Sequence, residues 1–248
     1  MIYFVGAGPG DPELLTVKAW RLLQQADLVI YAGSLVPLEV MDCCRPEAKK
    51  VNSAPLVLEE IIALMAEYHQ RQQLVVRLHT GDPSLYGAIG EQMKALDELG
   101  IPYEIVPGVS SFLAAAAAVK REYTVPGGSQ TVIITRLAGR TPVPQEQALA
   151  SLAQHRGSMA IFLSVGLAAQ VQQELLQGYP PDTPVAVVER ASQPAERVIR
   201  GKLGELAKLV EAAGITKTAL ILVGDFLTGE GKSLLYQKEF THEFRTAR

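Results

Sequence analysis

Three stretches place glycine, hydroxyl and carboxylate residues directly after apolar runs. Gly6-Ala7-Gly8-Pro9-Gly10-Asp11 follows Ile2–Val5, Thr80-Gly81-Asp82-Pro83 follows Leu74–Leu78, and Pro107-Gly108-Val109-Ser110-Ser111 follows Tyr103–Val106. In open α/β sheets, ligands bind where a parallel strand gives way to a helix. Glycine there lets a ligand approach the backbone closely. A phosphate is a poor fit. The first loop has two glycines of a G-x-G-x-x-G turn, but Asp11 stands at the third position, where it would repel a pyrophosphate. Pro9 offers no N–H, no carboxylate for a ribose follows Leu28–Tyr31, and no Walker lysine is present. Neutral donors of this kind suit a zwitterionic or neutral ligand. For the first loop taken alone, a tight turn with Asp11 as a helix cap stands beside the ligand reading.

These loops need a frame. Leu15, Ala19, Leu22 and Ala26 recur at helical spacing, as do Leu58, Ile61, Ile62 and Met65, and Ile89, Met93 and Leu96. A further helix is expected over Ser111–Val119. With the apolar runs between them, this alternation predicts a mostly parallel sheet covered on both faces. Proline and paired glycines in Glu122–Ser129 read as a linker. Beyond it, strands are expected at Thr131–Thr135, Met159–Leu163, Val185–Glu189, Val198–Arg200 and Ala219–Val223, with helices around Leu167–Leu176 and Leu203–Ala213. The expected architecture is α/β with two α/β domains, 1–124 with a mostly parallel sheet and 125–248 with a mixed sheet.

The 248 residues are 48% hydrophobic and 20% charged with net charge −3, which gives no global basic footprint for nucleic acid. No apolar run approaches the ~20 residues of a bilayer span, and no basic region precedes the N-terminal apolar residues. A cytoplasmic protein with no membrane or nucleic-acid partner is expected. Cys43 and Cys44 are adjacent, in no zinc spacing, and His69, His79, His155 and His242 are scattered, so no protein-bound metal is expected.

GAGPGDPELLTVKAWRLLQQADLVIYAGSLV resembles the opening of the tetrapyrrole methylases, which use S-adenosylmethionine. HTGDPSLYG and VPGVSSFLAAAA resemble two further signatures of that family. EYTVPGGSQTVIITRLAGRTPVP and LLYQKEFTHEFR are most similar to its branch that methylates C11 of precorrin-4 or cobalt-precorrin-4. The resemblance runs from Ile2 to about Arg245. It implies a homodimer of two-domain chains with the ligand cleft between the domains. It implies S-adenosylmethionine as cofactor, leaving as S-adenosylhomocysteine. Cofactor contacts carried over are Pro9, Thr80, Gly81, Asp82, Leu85, Ser110, Ser111, Val165, Ala191 and Ala219. Asp82 could receive the cofactor's ammonium group or form an Asx-turn at a helix start. Val165 departs from a frequent methionine and Ala191 from a frequent glycine. The aspartate that follows the second strand in uroporphyrinogen-III methylases has no counterpart in Ala32-Gly33-Ser34-Leu35-Val36, which argues against that substrate and leaves the catalytic residue unassigned.

The implied chemistry is methyl transfer from a sulfonium to a ring carbon, in which positioning supplies much of the acceleration. The substrate's acetate and propionate groups need cations. Arg136 and Arg140 come first, then Lys120 and Arg121, with solvated surface arginines as the plain alternative. Asp11 and Ser34 join them as substrate contacts. Competing readings are methylation of another corrin position, a diphthine synthase and a non-catalytic tetrapyrrole carrier.

Overall fold

A computed structural model describes residues 1–229, 231–238, 240–241 and 243–246, and of Ser34 the backbone alone. Two compact units emerge. The first comprises Met1–Ala114 with Ala191–Pro194, and the second comprises Ala115–Arg190 with Ala195–Arg248.

Unit 1 is built on β1 (Ile2–Gly6), β2 (Leu28–Tyr31), β3 (Lys49–Asn52), β4 (Val75–His79) and β5 (Tyr103–Val106). The order is β3-β2-β4-β1-β5, and every pairing is parallel. Its helices are α1 (Val17–Gln25), the single turn α2 (Leu38–Met41), α3 (Leu58–Gln70) and α4 (Ile89–Glu98). Alternation along the strands sends Val5, Val29, Val76 and Leu78 to the face covered by α1 and α2. It sends Ile2, Phe4, Leu28, Ile30 and Val75 to the face covered by α3 and α4. The chain therefore leaves β1 toward one face and the adjacent β4 toward the other. That reversal is the topological switch point, where open α/β sheets bind ligands.

Local sequence sets the helix ends. Asp11 caps a 3-10 turn at Pro12–Leu14, its Oδ1 accepting from Glu13 N at 2.9 Å. Thr16 Oγ1 accepts from Ala19 N at 3.1 Å and starts α1. The helix expected from Leu15 thus begins at Val17, after a separate 3-10 turn. β3 was not expected: KKVN lies at the sheet edge with its lysines exposed, so it carries no apolar alternation.

α5 (Ser111–Val119) runs across the division between the units. Unit 2 contains β6 (Val132–Arg136), β7 (Ser158–Phe162), β8 (Pro184–Glu189), β9 (Arg197–Lys202) and β10 (Ala219–Val223) in the order β6-β7-β10-β8-β9. Only β6 and β7 pair parallel, so the sheet is mixed, as expected. α6 (Leu149–Ala153), α7 (Ala168–Leu175) and α8 (Leu206–Ala212) bury Leu149, Val171, Leu175, Leu206 and Val210 against Met159, Ile161, Val185, Val187, Ile221 and Val223. The stretch Glu122–Ser129, expected as a linker, is packed down. Tyr123 and Val125 are buried, and the Tyr123 ring lies 4.9 Å from that of Phe226. No helix among the described residues is long and apolar enough to cross a membrane.

Candidate functional site

The loops that follow β1, β2, β4 and β5 are tied to one another at the carboxyl edge of the parallel sheet. Gly8 and Gly81 form an isolated bridge, with Gly81 N donating to Gly8 O at 2.8 Å and Gly8 N to Gly81 O at 3.3 Å. Ala7 N donates to His79 O at 2.7 Å. Thr80 Oγ1 donates to Leu35 O at 3.0 Å, which joins the loop after β2. Glycine is required where backbones meet: a Cβ on Gly6 would stand 2.5 Å from both Gly108 Cα and Gly81 O, and one on Gly108 would stand 2.2 Å from Gly81 O.

Asp82 is the electrostatic centre of this edge. Its Oδ2 accepts from Gly108 N at 2.9 Å, and its Oδ1 accepts from Ser84 N at 2.8 Å and from the Ser84 hydroxyl. Burial pushes the carboxyl up, but the hydrogen bonds from the Ser84 hydroxyl and from the Gly108 and Ser84 N–H groups outweigh it and hold it below the usual carboxylate range. Asp82 is thus an ionised Asx-turn residue that also staples the loop after β4 to the loop after β5. No lysine or arginine occurs in residues 6–15, 32–36, 80–88 or 107–114, so the edge carries acid without base.

Of the residues expected at the cofactor, unit 1 holds Pro9, Thr80, Gly81, Asp82, Leu85, Ser110, Ser111 and Ala191. Pro9, Gly81, Ser110 and Ala191 are buried, and Leu85 is half-buried with its N–H on Asp82 O at 3.2 Å. Ser110 precedes α5 and its carbonyl accepts from Leu113 N at 3.0 Å, while Ser111 is the first helical residue. Asp11 lies in the same unit. The Ser34 side chain, expected as a substrate contact, lies outside the described residues, and so does His242.

Unit 2 gathers Val165, Ala219 and Arg136 at one edge of its own sheet. β7 runs into a 3-10 turn at Val165–Leu167, β10 starts at Ala219 antiparallel to β7, and Arg136 ends β6. Ser164, fully buried, locks this edge: its Oγ accepts from Leu137 N at 2.9 Å and donates to Phe162 O at 2.6 Å. The Arg136 guanidinium holds the following loop, with Nη1 donating to Leu137 O at 3.2 Å and Thr141 O at 3.1 Å, and Nη2 to Pro142 O at 2.8 Å. Carbonyls carry no net charge to offset the guanidinium, and its Nε–H makes none of these bonds. Arg140 is exposed in that loop. Lys120 and Arg121 follow α5, and Arg121 Nε donates to Leu227 O at 2.9 Å, beyond the far end of β10. Arg121 therefore sits at the opposite edge of this sheet from Arg136.

Sequence reasoning missed Ser192 and Gln193. Asp11 N donates to Ser192 Oγ at 3.1 Å, and Gln193 Nε2 donates to Pro9 O at 3.3 Å. These partners are more than 180 residues apart in the chain, so no local spacing could reveal them.

The chain is similar to known proteins over nearly its whole length. The family profile of the Tetrapyrrole (Corrin/Porphyrin) Methylases matches residues 1–207. The precorrin-4 C(11)-methyltransferase of Pseudomonas aeruginosa is 50% identical over 246 residues, 98% of each chain. A solved cobalt precorrin-4 methyltransferase, described as a cobalamin biosynthetic enzyme, superposes with a TM-score of 0.90 at 46% identity, over 92% of this chain and 96% of its own. The uroporphyrin-III C-methyl transferase of Thermus thermophilus, solved in complex with S-adenosyl homocysteine, gives 0.78 at 35% identity over 91% and 98%. Parallel-sheet loops tied by glycine, a mixed second sheet and a match of this extent lead to one conclusion: the chain belongs to the tetrapyrrole methylases.

Proposed function

We propose that this protein is an S-adenosylmethionine-dependent C-methyltransferase that methylates C11 of precorrin-4 or cobalt-precorrin-4. The observation that carries the reading is the donor set of the four-loop edge: backbone amides, hydroxyls and the ionised Asp82, with no basic side chain. That set fits a cofactor bearing a sulfonium and an ammonium, and disfavours a polyphosphate. Pro9, Thr80, Gly81, Asp82, Leu85, Ser110, Ser111, Val165, Ala191 and Ala219 would hold it. When bound, the cofactor supplies an electrophilic methyl group. The protein's part is to fix donor and acceptor in line and to exclude water, which requires no side-chain nucleophile. Asp82 keeps its negative charge because three hydrogen bonds stabilise it, so its field favours a cationic group at the edge.

Arg136 is best placed to meet a substrate carboxylate, with only carbonyl partners in its loop and its Nε–H outside those contacts. Arg140, Lys120 and Arg121 follow, with Asp11 and Ser34 as the non-basic contacts. The protein is proposed to work as a cytoplasmic homodimer.

The test supplies methyl-labelled S-adenosylmethionine with precorrin-4 and, separately, cobalt-precorrin-4, and locates the label by NMR. Label at C11 is expected, and the faster substrate assigns the route. Label at another carbon overturns the position. In the same assay Arg136→Ala is expected to raise the KM for the tetrapyrrole at least about tenfold, the scale of a lost charge-assisted bond, and to leave the KM for the methyl donor unchanged. Equal changes in both would remove Arg136 from the substrate site.

A further inference from the structure

The segment Ala191–Pro194 belongs to unit 1, and its conformation is costly. Arg190 and Ser192 both adopt left-handed backbone conformations, at φ 49° and 65°, which side-chain-bearing residues seldom occupy. Such strain persists only where surrounding contacts impose it. Here Arg190 N donates to Thr218 O at 2.9 Å. Two residues on, Ser192 Oγ accepts from Asp11 N and the Gln193 amide donates to Pro9 O. Gly10 lies beneath the Gln193 side chain so closely that a Cβ there would stand 2.3 Å from Gln193 Cγ. Both sides of Gly10 are thus gripped, through Pro9 O and through Asp11 N. Ala191, the residue before Ser192, is buried.

We propose that Ser192 and Gln193 are positioning residues for the methyl donor: they clamp the Pro9-Gly10-Asp11 loop and so fix the separation of Pro9 from Ala191, two residues of the proposed cofactor site. The inference rests on that reading. Neither residue need touch the ligand. Ser192 acts as an acceptor and Gln193 as a donor, and the left-handed turn at Ser192 aims both side chains at one loop.

The test is calorimetric binding of S-adenosylhomocysteine to the full chain, together with steady-state KM values for both substrates and thermal melting. Ser192→Ala removes the acceptor, and Gln193→Glu keeps the shape but sets a carboxylate against the Pro9 carbonyl. Each is expected to weaken S-adenosylhomocysteine binding about tenfold, the scale of one lost hydrogen bond, with the KM for the tetrapyrrole and the melting temperature unchanged. Ser192→Asn is expected to recover most of the affinity, because asparagine tolerates the left-handed region and offers an acceptor. Wild-type affinity in Ser192→Ala and Gln193→Glu, an equal rise in both KM values, or a matching fall in melting temperature each overturns the clamp. A wild-type chain that fails to bind S-adenosylhomocysteine overturns the cofactor site itself, and the clamp with it.

Discussion

His79 closes β4 one residue before the Thr80-Gly81-Asp82 turn. It is buried, and its Nε2 has no hydrogen-bond partner among the described residues. Burial first, and the neighbouring Arg77 charge second, push its pKa down from 6.5 to about 3. The folded chain therefore keeps a neutral imidazole where an unfolded chain would protonate. The stability this contributes is fully present above pH 6.5 and is lost as pH falls toward 3, at about 1.4 kcal/mol per pH unit. His79→Leu is expected to flatten the pH dependence of unfolding free energy between pH 6.5 and 4 by one proton's slope, measured by urea titration at closely spaced pH values. An unchanged slope would show that His79 is protonated in the folded protein. Asp82 does not confuse the reading, since its lowered pKa makes its contribution fall away only below the usual 3.8. Arg77 is buried without a carboxylate partner among the described residues, its Nε on Gln92 Oε1 at 3.0 Å and its Nη1 on Ile30 O at 3.3 Å, and burial lowers its pKa to about 10.

At the scale of elements, the site is a meeting of loop backbones, and side-chain volume is what it excludes. Gly108→Ala places a Cβ against Gly81 O and Gly6 Cα, backbone atoms that cannot rotate aside. Overpacking of this kind costs about 1–3 kcal/mol. The variant is expected to lose that much in urea unfolding and to bind S-adenosylhomocysteine more weakly. Wild-type values for both would mean that the loops can part without consequence. The loops' positions were legible in the sequence because Gly6, Gly81 and Gly108 follow short, mainly apolar runs that read as strands. Leu28–Tyr31 and Tyr103–Val106 read off at their observed bounds, the first as a buried run and the second although Glu104 and Ile105 of that edge strand are exposed. The lysine-bearing edge strand β3 and the short α2 and α6 left no apolar period to read. The Asp11–Ser192 contact was illegible in principle, since it depends on tertiary packing that brings the two ends of a long chain segment together.

At the scale of the molecule, the two candidate loop edges differ in charge. The loops at the parallel-sheet edge hold Asp11 and Asp82 and no lysine or arginine, while in unit 2 Arg136 ends β6 and Arg140 lies in the loop that follows. For the proposed reaction, a cationic donor and a polycarboxylate acceptor would each be drawn to a different set of loops. The proposed homodimer predicts a sedimenting mass of twice 26.8 kDa, about 54 kDa. Equilibrium sedimentation across a concentration series checks it, and a constant 26.8 kDa species would exclude it.

The bond from Asp11 to Ser192 spans 181 residues, and that separation has a bearing on synthesis. All five strands of the parallel sheet are encoded by residue 106, early enough to pair while the ribosome is still working. The opening loop must wait for residue 193. At ~5–20 residues per second that delay is on the order of ten seconds or more. A nascent or prematurely terminated chain can thus contain the whole sheet and still lack the bonds that hold its first loop. Completion of the opening loop's contacts is tied to translation having passed residue 193.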